Sequence, residues 1–205
     1  HPFNSGFEAS RAEVATVSSD CPIDSQRDSM SRWYVVRGDW YFYPYDISLF
    51  GASTWELPSI AHPGEYANFD FQTTIGHYGY GLTGIIVRGA PLPLTSGDWS
   101  SGYIFNYNLG GYYLIWKNVA GGTHLLQDWA YSPAIRTGIG FDGRAWNDVR
   151  IVAFGPQLSF YINDTLLWTG IDESLRSGQV GIMRRKDSSG TSYGGLNMTW
   201  ARLCN

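Results

Sequence analysis

The chain has 205 residues, of which 16% are charged and 16% aromatic, and its formal net charge is −4. A net negative chain offers no basic field to attract phosphate backbones, which argues against nucleic-acid binding. The short basic cluster MRRK at 183–186 is followed by Asp187 and is predicted to be a solvated strand end or loop. Since no apolar run approaches the roughly 20 residues that a membrane-spanning helix needs, we expect no membrane span.

Residues 1–20 differ in composition from the rest of the chain. They are small and polar, and AEVATVS at 12–18 has enough β-type residues to add a strand to an exposed sheet edge. The two cysteines, Cys21 and Cys204, lie near the two ends of the remaining sequence, which favours one disulfide bond and an oxidising compartment. We therefore predict an N-terminal arm, 1–20, and one domain, 21–205, of a secreted or extracellular protein.

Strand-forming runs follow one another from Ser31 onward, with turn residues between them. Apolar and aromatic residues alternate with polar ones, as in LSFYI, and turn pairs such as Asn163-Asp164 separate the runs. IDESLRSG at 171–178 is predicted to form one helical turn. The sequence therefore predicts an all-β fold, an antiparallel β-sandwich or barrel of roughly ten to thirteen strands.

The order of these runs carries a family resemblance. From Asn147 to Met183 the sequence reads N-x-V-R-I-V-A-x-G-x-x-L-x-F-Y-I-N-D, followed by an Asp and then L-x-x-G-x-V-G-I. This pattern resembles the concanavalin A-like lectin/glucanase superfamily, in the branch shared by laminin G-like and three-keto-disaccharide hydrolase-like domains. The resemblance covers about residues 30–205 and implies a jelly roll of two antiparallel sheets, one of them with a concave face. It does not extend to residues 1–20.

The sequence lacks the catalytic motif of the hydrolytic relatives. The resemblance implies a carboxylate pair carried on one strand as E-x-D-x-x-E, and no such motif occurs here. Glycoside hydrolysis needs two carboxylates that face the scissile bond, whereas the Glu residues of this chain are isolated from one another. The pattern therefore favours a non-enzymatic protein. A polysaccharide-active hydrolase with an unrecognised site is the third of three hypotheses.

The first hypothesis is a secreted, lectin-like module for carbohydrate recognition or adhesion. Sugar binding uses flat aromatic faces beside polar groups, and this chain has 9 Trp and 14 Tyr. Most Trp and Tyr side chains of a sandwich fill its core, so each candidate competes with a structural role. The candidate carbohydrate-binding residues are Arg88, Trp99, Tyr103, Trp116, Asp128 and Trp129.

The second hypothesis is a structural subunit of an extracellular filament or surface assembly. In this interpretation residues 1–20 self-associate by adding a strand to the next subunit, which produces an open fibre. A surface with few charges and many Tyr and Trp residues is also suited to protein contacts.

Two further features concern ligands and modification. Calcium is common in relatives of the implied fold, and the loops 96–102, 141–148 and 168–174 contain oxygen ligands, although none matches a D-x-D-x-D-G loop. Calcium is therefore a candidate cofactor. Asn163 and Asn197 begin N-x-[ST] triplets and are candidate glycosylation sites.

Overall fold

The computed structural model describes residues 21–24, 30–49, 57–79, 81–92, 98–120, 122–185 and 194–205, and all structural statements below concern these ranges. The predicted arm, 1–20, lies outside them. Fifteen strands and a short 3-10 helix, Met30–Arg32, occur in the described ranges. The strands are β1 Ile23–Asp24, β2 Tyr34–Arg37, β3 Trp40–Phe42, β4 Ile47–Leu49, β5 Ser59–Tyr66, β6 Phe69–Tyr78, β7 Leu82–Leu92, β8 Asp98–Tyr107, β9 Tyr112–Val119, β10 Gly122–Tyr131, β11 Ala145–Phe154, β12 Gln157–Ile162, β13 Thr165–Ile171, β14 Gly178–Arg185 and β15 Gly195–Cys204.

The strands form two antiparallel sheets. The front sheet has seven strands in the order β10-β9-β8-β7-β14-β5-β2. The back sheet has eight, in the order β13-β12-β11-β6-β15-β4-β3, with β1 paired to β15 beside this path. Every described strand pair is antiparallel, as in the pairing of Ile151 with Phe160. The all-β antiparallel sandwich predicted from the sequence is confirmed.

The main core lies between the two sheets, and period-two alternation explains which residues fill it. On β8, Tyr103, Phe105 and Tyr107 are fully buried between the sheets, while Ile104 between them belongs to a separate cluster on the other face. Phe105 of the front sheet meets Phe160 of the back sheet with ring centroids 5.2 Å apart. The front sheet therefore has apolar side chains on both of its faces.

The β12–β13 hairpin forms as its sequence predicts. Asn163 and Asp164 have positive φ angles of 48° and 63°, which the two central residues of a type I′ turn require. The predicted helical turn at 171–178 is wrong, because residues 172–177 are irregular in the structure. The Asp172 carboxylate accepts hydrogen bonds from Tyr103 and Lys117 of the front sheet, and these contacts hold the segment across the end of the sandwich.

A disulfide bond joins Cys21 to Cys204, 183 residues apart in the sequence, as the cysteine positions predicted. Two residues after Cys21, Ile23 pairs with Leu203, so the bond ties the start of the described chain to the last strand of the back sheet. Among the described residues, no helix has the length and apolar character needed to cross a membrane.

Candidate functional site

A groove runs over the outer face of the front sheet. Its apolar part is a small cluster separate from the main core, formed by Val36, Ala61, Ile86, Trp99, Ile104 and Met183. The groove has a volume of about 240 Å³. We call it the front groove, and it is lined by Leu57, Ser59, Ile86, Asp98, Trp99, Ile104, Trp116, Asn118, Thr123, Met183 and Arg185.

Trp99 forms part of the floor of the front groove. Its side chain is 8% exposed and lies against two glycines, Gly89 and Gly181, on neighbouring strands. A Cβ atom at either glycine would come within 2.4 Å of the indole, so only a residue without a side chain leaves room for the ring. The indole Nε1 donates a hydrogen bond to the Ser59 hydroxyl at 3.0 Å, which fixes the ring across β7, β14 and β5.

Trp116 is the accessible aromatic ring of the front groove. It is partly buried against the apolar cluster, and the guanidinium carbon of Arg185 lies 5.9 Å from its ring centroid. Its indole N–H has no hydrogen-bond partner within the described chain. A ring of this kind offers an apolar surface and a free donor together, which is what a sugar ring and its hydroxyl groups require.

Polar groups surround the ring of Trp116. The Thr123 hydroxyl donates to Asn118 Oδ1 at 2.9 Å, which leaves the Asn118 amide nitrogen as a donor towards the groove. Asp98 uses Oδ1 to accept the N–H of Trp99 at 2.8 Å and retains its second oxygen as an acceptor. In the described part of the chain, Arg185 makes no ion pair with a carboxylate. The front groove thus offers donors, an acceptor and a cation around one ring.

The two arginines of the MRRK cluster have different environments. Arg185 is exposed above the front groove, whereas Arg184 is 2% exposed and donates to the carbonyl oxygen of Gly195 at 3.0 Å. Burial lowers the pKa of Arg184 to about 10. The prediction of a solvated strand end is therefore wrong for Arg184, because period-two alternation points it inward and Arg185 outward.

Two of the predicted site residues lie away from the groove and are buried. Arg88 is 2% exposed, and its guanidinium donates hydrogen bonds to the backbone carbonyl oxygens of Ala67, Gly155 and Leu175. It therefore ties two turns and the segment before β14 together. Tyr103 is fully buried in the main core, and its hydroxyl donates to Asp172 at 2.7 Å. Burial and that hydrogen bond raise the pKa of the Tyr103 hydroxyl to about 12.

The remaining predicted residues fall on two parts of the front sheet. Trp99 and Trp116 meet in the front groove, as described above. Asp128 and Trp129 lie on β10, the edge strand, where Asp128 Oδ1 accepts the backbone N–H of Trp129 at 2.7 Å. The Trp129 side chain is 50% exposed. The structure thus brings two of the six candidates together and places two more on the edge of the same sheet.

In two of the predicted calcium loops, 141–148 and 168–174, the aspartate carboxylates already accept hydrogen bonds. In the loop 141–148, the Asp142 carboxylate accepts hydrogen bonds from Trp146 Nε1 and from the Arg144 backbone. In 168–174, Asp172 pairs with the Lys117 ammonium group. Burial raises the pKa of Asp172, but the hydrogen bonds from Lys117, Tyr103 and Ser174 outweigh it and hold the pKa well below its usual range.

Over the described ranges, no three His, Cys, Asp or Glu side chains are grouped as a metal site would need. The loops 141–148 and 168–174 therefore do not fit calcium, because a cation would have to displace an ammonium group or N–H donors that already occupy the carboxylates. The loop 96–102 lies partly outside the described residues, and calcium there stays a prediction.

The two candidate glycosylation asparagines both use their side-chain amides within the fold. Asn163 Nδ2 donates to the carbonyl oxygen of Ala134 at 2.7 Å and to Asn147 Oδ1 at 2.8 Å. Asn197 is buried, and its Nδ2 donates to the Ser48 hydroxyl at 2.6 Å. A glycan would replace one of the two Nδ2 hydrogens and would need space beside these partners, so glycosylation at Asn163 and Asn197 stays a prediction that the geometry disfavours.

Sequence reasoning did not single out Asn118, Thr123 or Arg185. The signal was nevertheless present, because alternation places Asn118 on the same face of β9 as Trp116 and sets Arg185 opposite Arg184. Thr123 required the β9–β10 register, which pairs it with Asn118. This pair lies beside the β9–β10 hairpin turn, before the two register shifts that follow Leu125.

The same fold occurs in several solved structures. A carbohydrate-binding module, CBM66, from Bacillus subtilis superposes with a TM-score of 0.56 at 16% identity, over 84% of this chain and 91% of that one. A Bacillus subtilis protein of unknown function with a galectin-like fold gives 0.65 at 10% identity, over 90% and 95% of the two chains. A β-glucanase from Bacillus licheniformis gives 0.63 at 9% identity, over 90% and 98%.

The fold is that of the concanavalin A-like lectins and glucanases. The jelly roll expected from the sequence motif is thereby confirmed. At these identities the likeness concerns the fold alone. No model of a protein family matches the sequence, and no curated protein matches it either.

Proposed function

We propose that this protein is a non-catalytic carbohydrate-binding module and that the front groove is its binding site. The observation that carries the proposal is the half-buried ring of Trp116 with its free indole N–H, beside the Asn118 amide and Arg185. Apolar ring faces pack against the C–H face of a sugar, and the neighbouring polar groups bind its hydroxyls. The solved structures that share the fold include a carbohydrate-binding module, which supports this class of ligand.

An extracellular location fits the same proposal. Cys21 and Cys204 form a disulfide bond, and such bonds persist in oxidising compartments. Polysaccharides of cell walls and matrices are encountered there, which is consistent with a secreted, lectin-like protein.

The experiment compares two tryptophans that are both partly buried, one on each outer face of the sandwich. Wild-type protein, Trp116→Ala and Trp146→Ala are applied to a glycan array that carries neutral and acidic polysaccharides. Trp146 lies on the back sheet, where its Nε1 donates to Asp142, and it serves as the matched control. We expect Trp116→Ala to lose at least about tenfold in affinity and Trp146→Ala to bind as the wild type does.

Two results would contradict the proposal. If the wild-type protein bound no polysaccharide on the array, the proposed function would be wrong. Equal losses of affinity in both variants would show that the front groove is not the binding site. Circular dichroism of each variant separates loss of binding from loss of folding.

The hydrolase hypothesis and the filament hypothesis stay predictions. Asp98 is the one carboxylate among the described residues that line the front groove, and hydrolysis requires a pair. Release of reducing ends from the polysaccharides that bind would favour the hydrolase. The filament hypothesis rests on residues 1–20, and its test is whether deletion of that segment abolishes assembly seen by electron microscopy of the native material.

A further inference from the structure

The outer face of the front sheet continues beyond the groove as a row of exposed side chains on its last two strands. Cross-strand partners share a face, and Leu125 of β10 pairs with Trp116, while Tyr131 pairs with Tyr112. The Tyr112 and Tyr131 rings contact each other with centroids 5.5 Å apart. We call this row the edge strip, and it consists of Tyr112, Leu125, Trp129 and Tyr131, all between 46% and 63% exposed.

The edge strip is oriented outward by the packing of its neighbours in β10. Leu126 and Ala130 pack against the main core, so alternation directs Trp129 and Tyr131 to the opposite face. These rings are therefore not used to fill the sandwich. Like that of Trp116, the indole N–H of Trp129 has no partner in the described chain.

Polar residues precede Trp129 in the sequence of β10. The Gln127 amide nitrogen donates to the backbone carbonyl of Asp128 at 2.9 Å, and Asp128 Oδ1 accepts the N–H of Trp129. These contacts leave Gln127 Oε1 and Asp128 Oδ2 as acceptors on an exposed strand. Exposed rings on a strand that also carries free amide, carboxylate and indole N–H groups match a chain of sugars more closely than they match an apolar protein surface.

The register of β10 argues against a second polypeptide strand as the occupant. Two register shifts interrupt its pairing with β9, one between Leu125 and Gln127 and one between Gln127 and Ala130. Bulges of this kind twist an edge strand and break the regular ladder that an added strand needs. Continuity with the front groove at Trp116 instead favours one long ligand that touches both surfaces.

We propose that the edge strip extends the front groove into a site for an internal stretch of a polysaccharide chain, an inference that rests on the function proposed above. Residues 112 and 118 are six positions apart on β9, or about 20 Å at the rise of a β-strand. A polymer lying along β9 and β10 contacts the edge strip and the groove together, whereas a single sugar contacts only the groove. The protein thus selects for chain length.

The test measures affinity against the number of sugars in the ligand. The probes are oligosaccharides from partial acid hydrolysis of the array polysaccharide that binds most tightly, from the disaccharide upward. Wild-type protein should bind longer oligosaccharides more tightly. The double variant Trp129→Ala, Tyr131→Ala should lose about 10- to 100-fold in affinity for the long oligosaccharides and keep the affinity of the wild type for the disaccharide.

The control is Phe154→Ala, which removes a ring that is 62% exposed on the back sheet and should leave every affinity unchanged. Affinity that does not depend on length in the wild type, or an equal loss in Phe154→Ala, overturns the inference. If the double variant instead abolishes a dimer seen by analytical ultracentrifugation and binds polymer normally, the edge strip is a protein contact. If the wild-type protein binds the disaccharide and longer oligosaccharides with equal affinity, the front groove remains the proposed site and only the inference about the edge strip is wrong.

Discussion

The outer faces of the two sheets carry similar side chains but use them differently. On the back sheet, Arg150 pairs with Asp70 at 2.6 Å and lies 5.3 Å from the ring centroid of Tyr161. Nearby, Trp200 donates to the Thr74 hydroxyl, which in turn donates to Asp148. The polar groups of this network bond to one another, and the indole N–H groups are occupied.

On the front sheet the corresponding groups remain available. Trp116 and Trp129 have indole N–H groups without partners in the described ranges, and Arg185 has an aromatic ring rather than a carboxylate beside it. The two faces therefore cannot be told apart by composition. The difference teaches that a binding face is marked by unused hydrogen-bonding capacity next to exposed rings.

The largest expected effect is a loss of stability at low pH. It concerns His77, a buried residue of the core that both sheets share. His77 of the back sheet is fully buried, neither ring nitrogen has a hydrogen-bond partner in the described chain, and it packs edge-on against Tyr107. Arg184 of the front sheet is also buried and is close enough for its charge to act on His77. Burial, together with the positive charge of Arg184, lowers the pKa of His77 from 6.5 to about 3.

The sign follows from which state takes up the proton. Between pH 6.5 and pH 3, His77 is protonated in the unfolded chain but not in the folded chain. The free energy of unfolding therefore decreases as the pH is lowered through this range, by up to about 5 kcal/mol. Urea unfolding at several pH values measures this fall. His77→Leu should reduce the dependence and should not lower stability at pH 7, because it removes a buried polar ring without partners. An unchanged pH dependence in the variant would show that carboxylates, rather than His77, control acid stability.

The second effect concerns the floor of the front groove. Trp99→Ala should lower the free energy of unfolding by about 3–5 kcal/mol, since the indole fills the space above Gly89 and Gly181. It should also abolish polysaccharide binding. Trp200→Ala, on the back sheet, should cost less stability and leave binding intact. Thermal denaturation measures the stability and the glycan array measures polysaccharide binding. A loss of binding in Trp200→Ala would contradict the assignment of binding to the front sheet alone.

The smallest effect concerns the ion pair of the back sheet. Asp70→Asn should cost about 1 kcal/mol of stability, because the bidentate contact with Arg150 is partly exposed to solvent and screened by it. Polysaccharide affinity should not change. Denaturant unfolding at low and high salt checks the first statement, since the difference from wild type should shrink at high salt. A change in affinity would mean that the back sheet contributes to the ligand site.

Much of the fold was predictable because its determinants are local. The alternation of Leu158, Phe160 and Ile162 predicts a strand with one buried face, and Asn163-Asp164 tolerates the left-handed backbone of the turn. The segment after Ile171 was not predictable in this way. Its conformation depends on hydrogen bonds from Lys117 and Tyr103, which lie far away in the sequence.

The candidate site was predictable only in part. Trp116 was chosen from the sequence because it is an aromatic residue on a strand with polar neighbours, and it lines the front groove. Arg88 satisfied similar criteria, yet it lies in the interior, where backbone carbonyls from three separate segments surround its guanidinium. No local sequence pattern predicts that these three distant segments supply the hydrogen-bond acceptors of one arginine.

The sequence by itself determined that this chain forms an all-β antiparallel sandwich or barrel, because side-chain alternation and turn chemistry act over a few neighbouring residues. Only the tertiary structure decided which face of each strand is covered by the second sheet. Tyr103 and Ile104 are adjacent in the chain, and the packing of the back sheet puts the first in the main core and the second beneath the front groove. A period of two assigns residues to faces, but the contact between distant strands decides which face remains open to a ligand.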